Sequence, residues 1–189
     1  MEHNPWGFFC TNPKPTGLDS FRILHSMSAN KQQLPERTLV LGLGNILMGD
    51  EGIGVRSIEF MQEKPLPDNA ELLDGGTGGF HLLSLFQEYK RFVIIDATLG
   101  TGPIGEIHVL KPRFASDFPR SLTSHDIGLR DLMQSAELLG ELPEIFLVTI
   151  NIGEFNTVQM KLSREVEAVL PRIRETVLRL LDTGSISSV

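Results

Sequence analysis

One cysteine, Cys10, stands in 189 residues. A lone thiol forms no intramolecular disulfide and no cysteine-based zinc site, and it fits a reducing cytoplasm. Cations are also few: 17 Lys and Arg face 24 Asp and Glu, a net charge of −7. Phosphate backbones and anionic membranes are gripped by clustered Lys and Arg, so this balance argues against a nucleic-acid partner and against polybasic membrane binding. No apolar run reaches the roughly 18 residues that a membrane helix needs. The chain does not open on a basic stretch followed by an apolar core, so its first residues make a poor signal peptide. There is no G-x-S-x-G elbow to present a serine nucleophile.

What is present is ordinary for a globular protein: 41% hydrophobic and 22% charged residues, enough for one domain with a full core. Residues 1–37 differ in character, holding Pro5, Pro13, Pro15 and Pro35, Gly7 and Gly17, and scattered aromatics. They read as an N-terminal extension, either an accessory segment or an over-extended start with Met27 as the true beginning. The domain proper is expected over 38–182, and 183–189 reads as a polar tail.

Within that domain, strands alternate with helices. Strands are expected at Thr38–Leu43, in AELLDG ending at Asp74, in FVIIDA, and in EIFLVTIN. FVIIDA is a near-continuous apolar run, as expected of a strand buried on both faces. GEIHVL alternates and follows a short loop, which predicts an antiparallel or edge strand. Helices are expected from about Gly52 to Glu63, with Ile53, Ile58, Phe60 and Met61 inward, around Phe80–Tyr89, over Asp126–Leu139, and after Ser163 as N-cap. Pro171 should start a second helical segment or kink the last helix. The pattern predicts a single α/β domain: a twisted, mostly parallel sheet of about five strands with helices on both faces.

The stretch LVLGLGNILMGDEGIGV, Leu39–Val55, organises the rest. A buried strand delivers a Gly turn (Gly42, Gly44), then Asp50 and Glu51, to the start of a helix. A dinucleotide fingerprint needs a third glycine where Leu47 stands, and two carboxylates would repel a pyrophosphate. A better set is Glu51, Asp96 at the end of FVIIDA, and His125 in TSHDIGL. Sites in such sheets form beyond the C-terminal ends of the strands, where Asp50, Glu51, Asp74 and Asp96 all fall. Two carboxylates and an imidazole suit zinc or a nickel-like divalent ion, and three protein ligands leave a position open. Each residue alone also has a plain structural reading: Asp50 and Glu51 can complement a helix N-terminus, Asp96 can cap a loop, and His125 can be a polar surface residue. The four glycines of GGTGG around Thr77 form either a flexible loop or a place where a bound peptide's backbone comes close.

GLGNILMGDEGIGV, LLDGGTGGF, FVIIDA and SHDIGL, in this order and at these intervals, resemble the hydrogenase maturation endopeptidases. The resemblance covers about Thr38 to Leu181. It implies a twisted sheet flanked by helices, and removal of a C-terminal peptide from the nickel-loaded large-subunit precursor of a nickel–iron hydrogenase. It implies Glu51, Asp96 and His125 as metal ligands and Asp74 as an acidic position tied to activity. The nickel would be presented by the substrate, with a divalent metal at the triad as a further expectation. The general base is then Asp74 or Asp50, although Asp50 can instead only brace its loop. Substrate specificity is expected in loops such as Lys111–Thr123 and Gly153–Met160. The alternatives are a non-proteolytic metal-sensing or binding module on the same fold, and a peptidyl-tRNA hydrolase. The latter also begins with a strand and a GLGN turn but follows it with proline and glycine, where Ile46 and Leu47 stand here.

Overall fold

In this computed structural model, residues 37–117, 133–138, 142–153 and 158–183 are described. His125, residues 1–36 and residues 184–189 lie outside them, so the expectations for those positions are not addressed by the structure. Five strands form one sheet: β1 (Thr38–Gly42), β2 (Ala70–Asp74), β3 (Arg91–Thr98), β4 (Ile107–Leu110) and β5 (Glu144–Asn151). Their order is β2-β1-β3-β5-β4. β2, β1, β3 and β5 run parallel, and β4 pairs antiparallel with β5 at one edge. The alternating GEIHVL segment is therefore both antiparallel and an edge. Ile107 and Val109 are half-buried, and His108 and Leu110 face outward.

The inner strands show why a sheet covered on both faces needs continuous apolar runs. Val40, Val93, Ile95, Ala97, Phe146, Val148 and Ile150 join one core cluster. Their sequence neighbours Leu39, Leu41, Phe92, Ile94, Ile145 and Leu147 join the other. The period of two thus divides each strand between two hydrophobic layers.

The first layer is closed by helix α1 (Ile53–Gln62) and by the last two helices, α4 (Arg164–Glu167) and α5 (Leu170–Thr183). α1 buries Ile53, Val55, Ile58 and Met61. Phe60, expected inward, is half-buried under the Lys64 ammonium, 4.3 Å from its ring centroid. Ser163 caps α4 by accepting from Val166 N–H at 3.3 Å. The helix is interrupted by a turn at Ala168–Val169, and Pro171 enters the first turn of α5, where its missing N–H costs nothing. Val166, Val169, Ile173, Val177, Leu180 and Leu181 then form the buried stripe.

The second layer is closed by a 3-10 turn over Phe80–Ser84 running into the short α2 (Leu85–Glu88), and by α3 at 133–138, which inserts Met133 and Ala136. The short helix expected around Phe80–Tyr89 is thus 3-10 in its first half and α in its second. The tighter turn brings Leu82 and Phe86 onto the sheet within one short segment, with the Phe86 and Phe92 rings 4.8 Å apart. Among the described residues no helix is long and apolar enough to cross a membrane.

Candidate active site at the strand-end rim

The C-terminal ends of β1, β2 and β3 lie side by side. In register, Gly42 pairs with Asp74 on one side and with Ile95 on the other. Asp74 and the residue before Asp96 therefore stand two strand spacings apart, about 10 Å. The loops beyond are laced together by backbone hydrogen bonds: Leu43 N–H to Ile95 C=O at 2.9 Å, Gly75 N–H to Gly42 C=O at 2.9 Å, and Gly44 N–H to Gly76 C=O at 2.8 Å. Asn45 closes the turn, its side-chain oxygen accepting from Leu47 N–H at 3.0 Å.

Asp50 and Glu51 fall in a 3-10 turn, Gly49–Gly52, that precedes α1. The turn sits directly against the strand ends, because two glycines remove the side chains that would hold it off. A Cβ on Gly54 would lie 2.1 Å from Leu43 C=O and 2.3 Å from Ile95 C=O, and one on Gly42 would lie 2.3 Å from Gly54 C=O. The close helix–strand contact that the third glycine of a dinucleotide fingerprint provides is thus made here by Gly54 facing Gly42.

The outcome is a pair of buried carboxylates. Glu51 is 0% exposed and Asp96 1% exposed. Asp96 Oδ1 accepts from Ala97 N–H at 2.8 Å. Acidic side chains are rarely fully buried, so two of them beyond the C-terminal ends of inner strands set this corner apart from the rest of the core. By strand alternation Asp96 points to the layer that α3 covers, since Ile94 belongs to that layer and Ile95 to the other. Thr98, Thr149 and Asn151, on the same side of the strands, are buried polar neighbours of that corner.

The other two acids are placed differently. Asp74 is exposed, and its Oδ1 accepts from Gly76 N–H at 2.8 Å. Asp50 is half-buried and accepts from Ser163 N–H through Oδ1 at 2.6 Å, which ties its turn to the entry of α4. Among the described residues no three His, Cys, Asp or Glu side chains cluster so as to hold one metal ion. Asp74 is therefore not a third ligand beside Glu51 and Asp96, and the expected third, His125, is outside the described residues.

Asn151 went unnoticed in the sequence. It is 2% exposed, accepts from Gly100 N–H at 2.7 Å, and donates from Nδ2 to the carbonyls of Gly102 and Pro103. It clamps the loop that follows β3, just past Asp96. Its signal was available: a polar residue ending a near-continuous buried run, the same feature that singled out Asp96.

A family model described as hydrogenase maturation protease matches residues 55–180. The chain belongs to the hydrogenase maturation protease family. It is 33% identical over 158 residues to a hydrogenase expression/formation protein, HupD, of Rhizobium leguminosarum bv. viciae, covering 80% of this chain and 77% of that one. It is 33% identical over 156 residues to the hydrogenase 2 maturation protease of Escherichia coli, covering 81% and 95%. The solved structure of the Escherichia coli hydrogenase maturating endopeptidase HybD superposes with a TM-score of 0.71 at 34% identity, over 81% of this chain and 96% of that one. Membership makes this chain a peptide hydrolase and decides against the metal-sensing module and the tRNA hydrolase.

Proposed function

We propose that this chain removes a C-terminal peptide from the large-subunit precursor of a nickel–iron hydrogenase after nickel has been inserted, and that it does so in the cytoplasm. The observation that carries the proposal is the buried Glu51–Asp96 pair on the strand-end rim of a chain in this family. The donor chemistry suits a borderline divalent ion such as nickel or zinc once an imidazole joins two carboxylates. Glu51, Asp96 and His125 would hold it, leaving positions for ligands from the precursor. His125 stands eight positions before α3, and α3 packs on the face to which Asp96 points, which supports that third ligand.

Held by Glu51, Asp96 and His125, such a metal would supply Lewis-acid polarisation of the scissile carbonyl or of an attacking water. The chain's own groups supply the rest. Nickel in the precursor is read by the triad, so an unloaded precursor is not positioned for cleavage. Asp74, exposed on the rim beside the glycine loop, is the general base of choice, because its second carboxylate oxygen is not engaged by Gly76. Asp50 serves as the brace of the Glu51 turn through Ser163. The open loop at Gly76 and Gly78, where a Cβ would meet nothing within 4 Å, leaves backbone bare for an extended peptide.

Intact-mass measurement of a nickel-loaded precursor tests these roles. Glu51→Gln, Asp96→Asn and His125→Ala are each expected to abolish truncation. Asp74→Asn is expected to slow it by about 100-fold or more with precursor binding retained. Asp50→Asn is expected to keep most of the rate. Full activity in His125→Ala would remove the triad, and full activity in Asp74→Asn would remove the general base.

A further inference from the structure

Three large apolar side chains stand exposed on the rim, within one hydrogen-bonded unit. Leu47 is 49% exposed, Val158 81% and Met160 60%. Their backbone is held firmly. Gln159 forms a parallel bridge with Met48, through Gln159 N–H to Leu47 C=O at 3.0 Å and Gly49 N–H to Gln159 C=O at 2.5 Å. Arg56 of α1 donates to Met160 C=O at 2.9 Å. Ser163 N–H binds Asp50. Exposed apolar groups scattered singly need no explanation, but a cluster carried on a tethered backbone is pre-organised for a partner.

The cluster is continuous with the candidate site. Leu47 stands four positions before Glu51, and Gly49 and Asp50, which bond to this arm, belong to the same turn as Glu51. A protein substrate whose C-terminal segment reaches Glu51 and Asp96 must lay its folded body on the surface beside them.

The geometry points to Leu47, Val158 and Met160 as the surface on which the folded body of the large-subunit precursor seats, through an apolar patch bordering its C-terminal segment. This rests on the processing function proposed above and adds the docking surface to it. Because the arm and the Glu51 turn share hydrogen bonds, seating the precursor on the arm also fixes the turn that carries the ligand.

The test is steady-state processing of the nickel-loaded precursor by the full-length triple variant Leu47→Ser/Val158→Ser/Met160→Ser. Val158→Ser alone serves as the milder variant, and Leu110→Ser, 37% exposed on the edge strand β4, serves as the control. The triple variant is expected to raise KM by about tenfold or more with kcat within about twofold, as truncation of interface anchors does. Val158→Ser is expected to raise KM by a smaller factor, and Leu110→Ser to leave it unchanged. Circular dichroism checks folding; if the triple variant is unfolded, Val158→Ser decides. An unchanged KM in a folded variant, while the parent processes the precursor, overturns the docking surface alone. A shift of sedimentation from dimer to monomer with KM unchanged also overturns it and assigns the patch to a second copy of this chain. A parent protein that neither binds nor processes the precursor overturns the function on which the inference rests.

Discussion

Gly54→Ala is a sharp probe of how the site is positioned. The added methyl carbon would lie 2.1 Å from Leu43 C=O and 2.3 Å from Ile95 C=O, where real Cβ contacts essentially never fall below 3.0 Å. Both obstacles are backbone, one just past β1 and bonded to β3 through Leu43 N–H and the other within β3, so neither rotates away. α1 must retreat by about 1 Å, loosening Ile53, Val55 and Ile58 in the core. Overpacking of this kind costs about 1–3 kcal/mol. Alanine's better helix propensity offsets about 1 kcal/mol at most. A net loss of about 1–2 kcal/mol is expected, which lowers the urea midpoint by roughly 0.5–1 M at a slope of about 2 kcal/mol per M. Activity should fall further than stability does, because Glu51 sits in the turn that moves with α1, and a displacement of about 1 Å in a positioned group can cost roughly 100-fold in rate. Gly76→Ala is the contrast: no atom lies within 4 Å of its Cβ and the cost is the φ of +54° alone, about 1 kcal/mol. Parent-like stability and full activity in Gly54→Ala would refute the close approach as the device that sets Glu51.

Three further outcomes follow from the same structure. Tyr89 is the single tyrosine, and burial, followed by its hydrogen bond to Glu71, pushes its phenol up to about 12 from the ordinary 10.0. Tyrosinate absorbance should therefore rise near pH 12 in the folded protein and near pH 10 in urea, and equal midpoints would contradict the packing. Burial works against ionisation of Glu144, but the hydrogen bonds from Lys111 at 2.6 Å and Arg91 at 2.7 Å outweigh it and hold the carboxyl below its ordinary 4.5. With the folded value depressed, its contribution is fully present above about pH 4.5 and is lost as pH falls through the folded value. Glu144→Gln should cost about 0.5–1 kcal/mol at neutral pH, the scale for half-exposed pairs, and almost nothing in strong acid, as read by denaturation at several pH values. Asn151→Ala removes three hydrogen bonds to the loop after β3 and should destabilise by about 1–3 kcal/mol, with faster amide exchange at Gly100; unchanged exchange would contradict the clamp.

The strands were legible because burial on both faces demands uninterrupted apolar residues, and EIFLVTIN emerged as β5 with the bounds its sequence suggests. The kinked last helix was equally plain, since Ser163 and Pro171 act locally. What was not legible depends on tertiary neighbours. Nothing near Asp50 announces that its partner is the backbone of Ser163, 113 positions on. Nothing in α1 says that Val55 rather than Phe60 is buried, because the close approach of the helix is set by Gly54 against Gly42. Glu51 and Asp96 were legible as candidates from their strand-end places, and their shared burial is what the fold adds. Leu47, Val158 and Met160 meet through a bridge between distant segments, which no periodicity reveals.

The central claim is that this chain cuts its substrate only when the substrate brings nickel to Glu51, Asp96 and His125. The most direct measurement is intact-mass spectrometry of the large-subunit precursor incubated with the full-length protein, with and without nickel loaded. The account predicts a C-terminally shortened product from the nickel-loaded precursor and none from the nickel-free one. Equal truncation of both, or of neither, would contradict it.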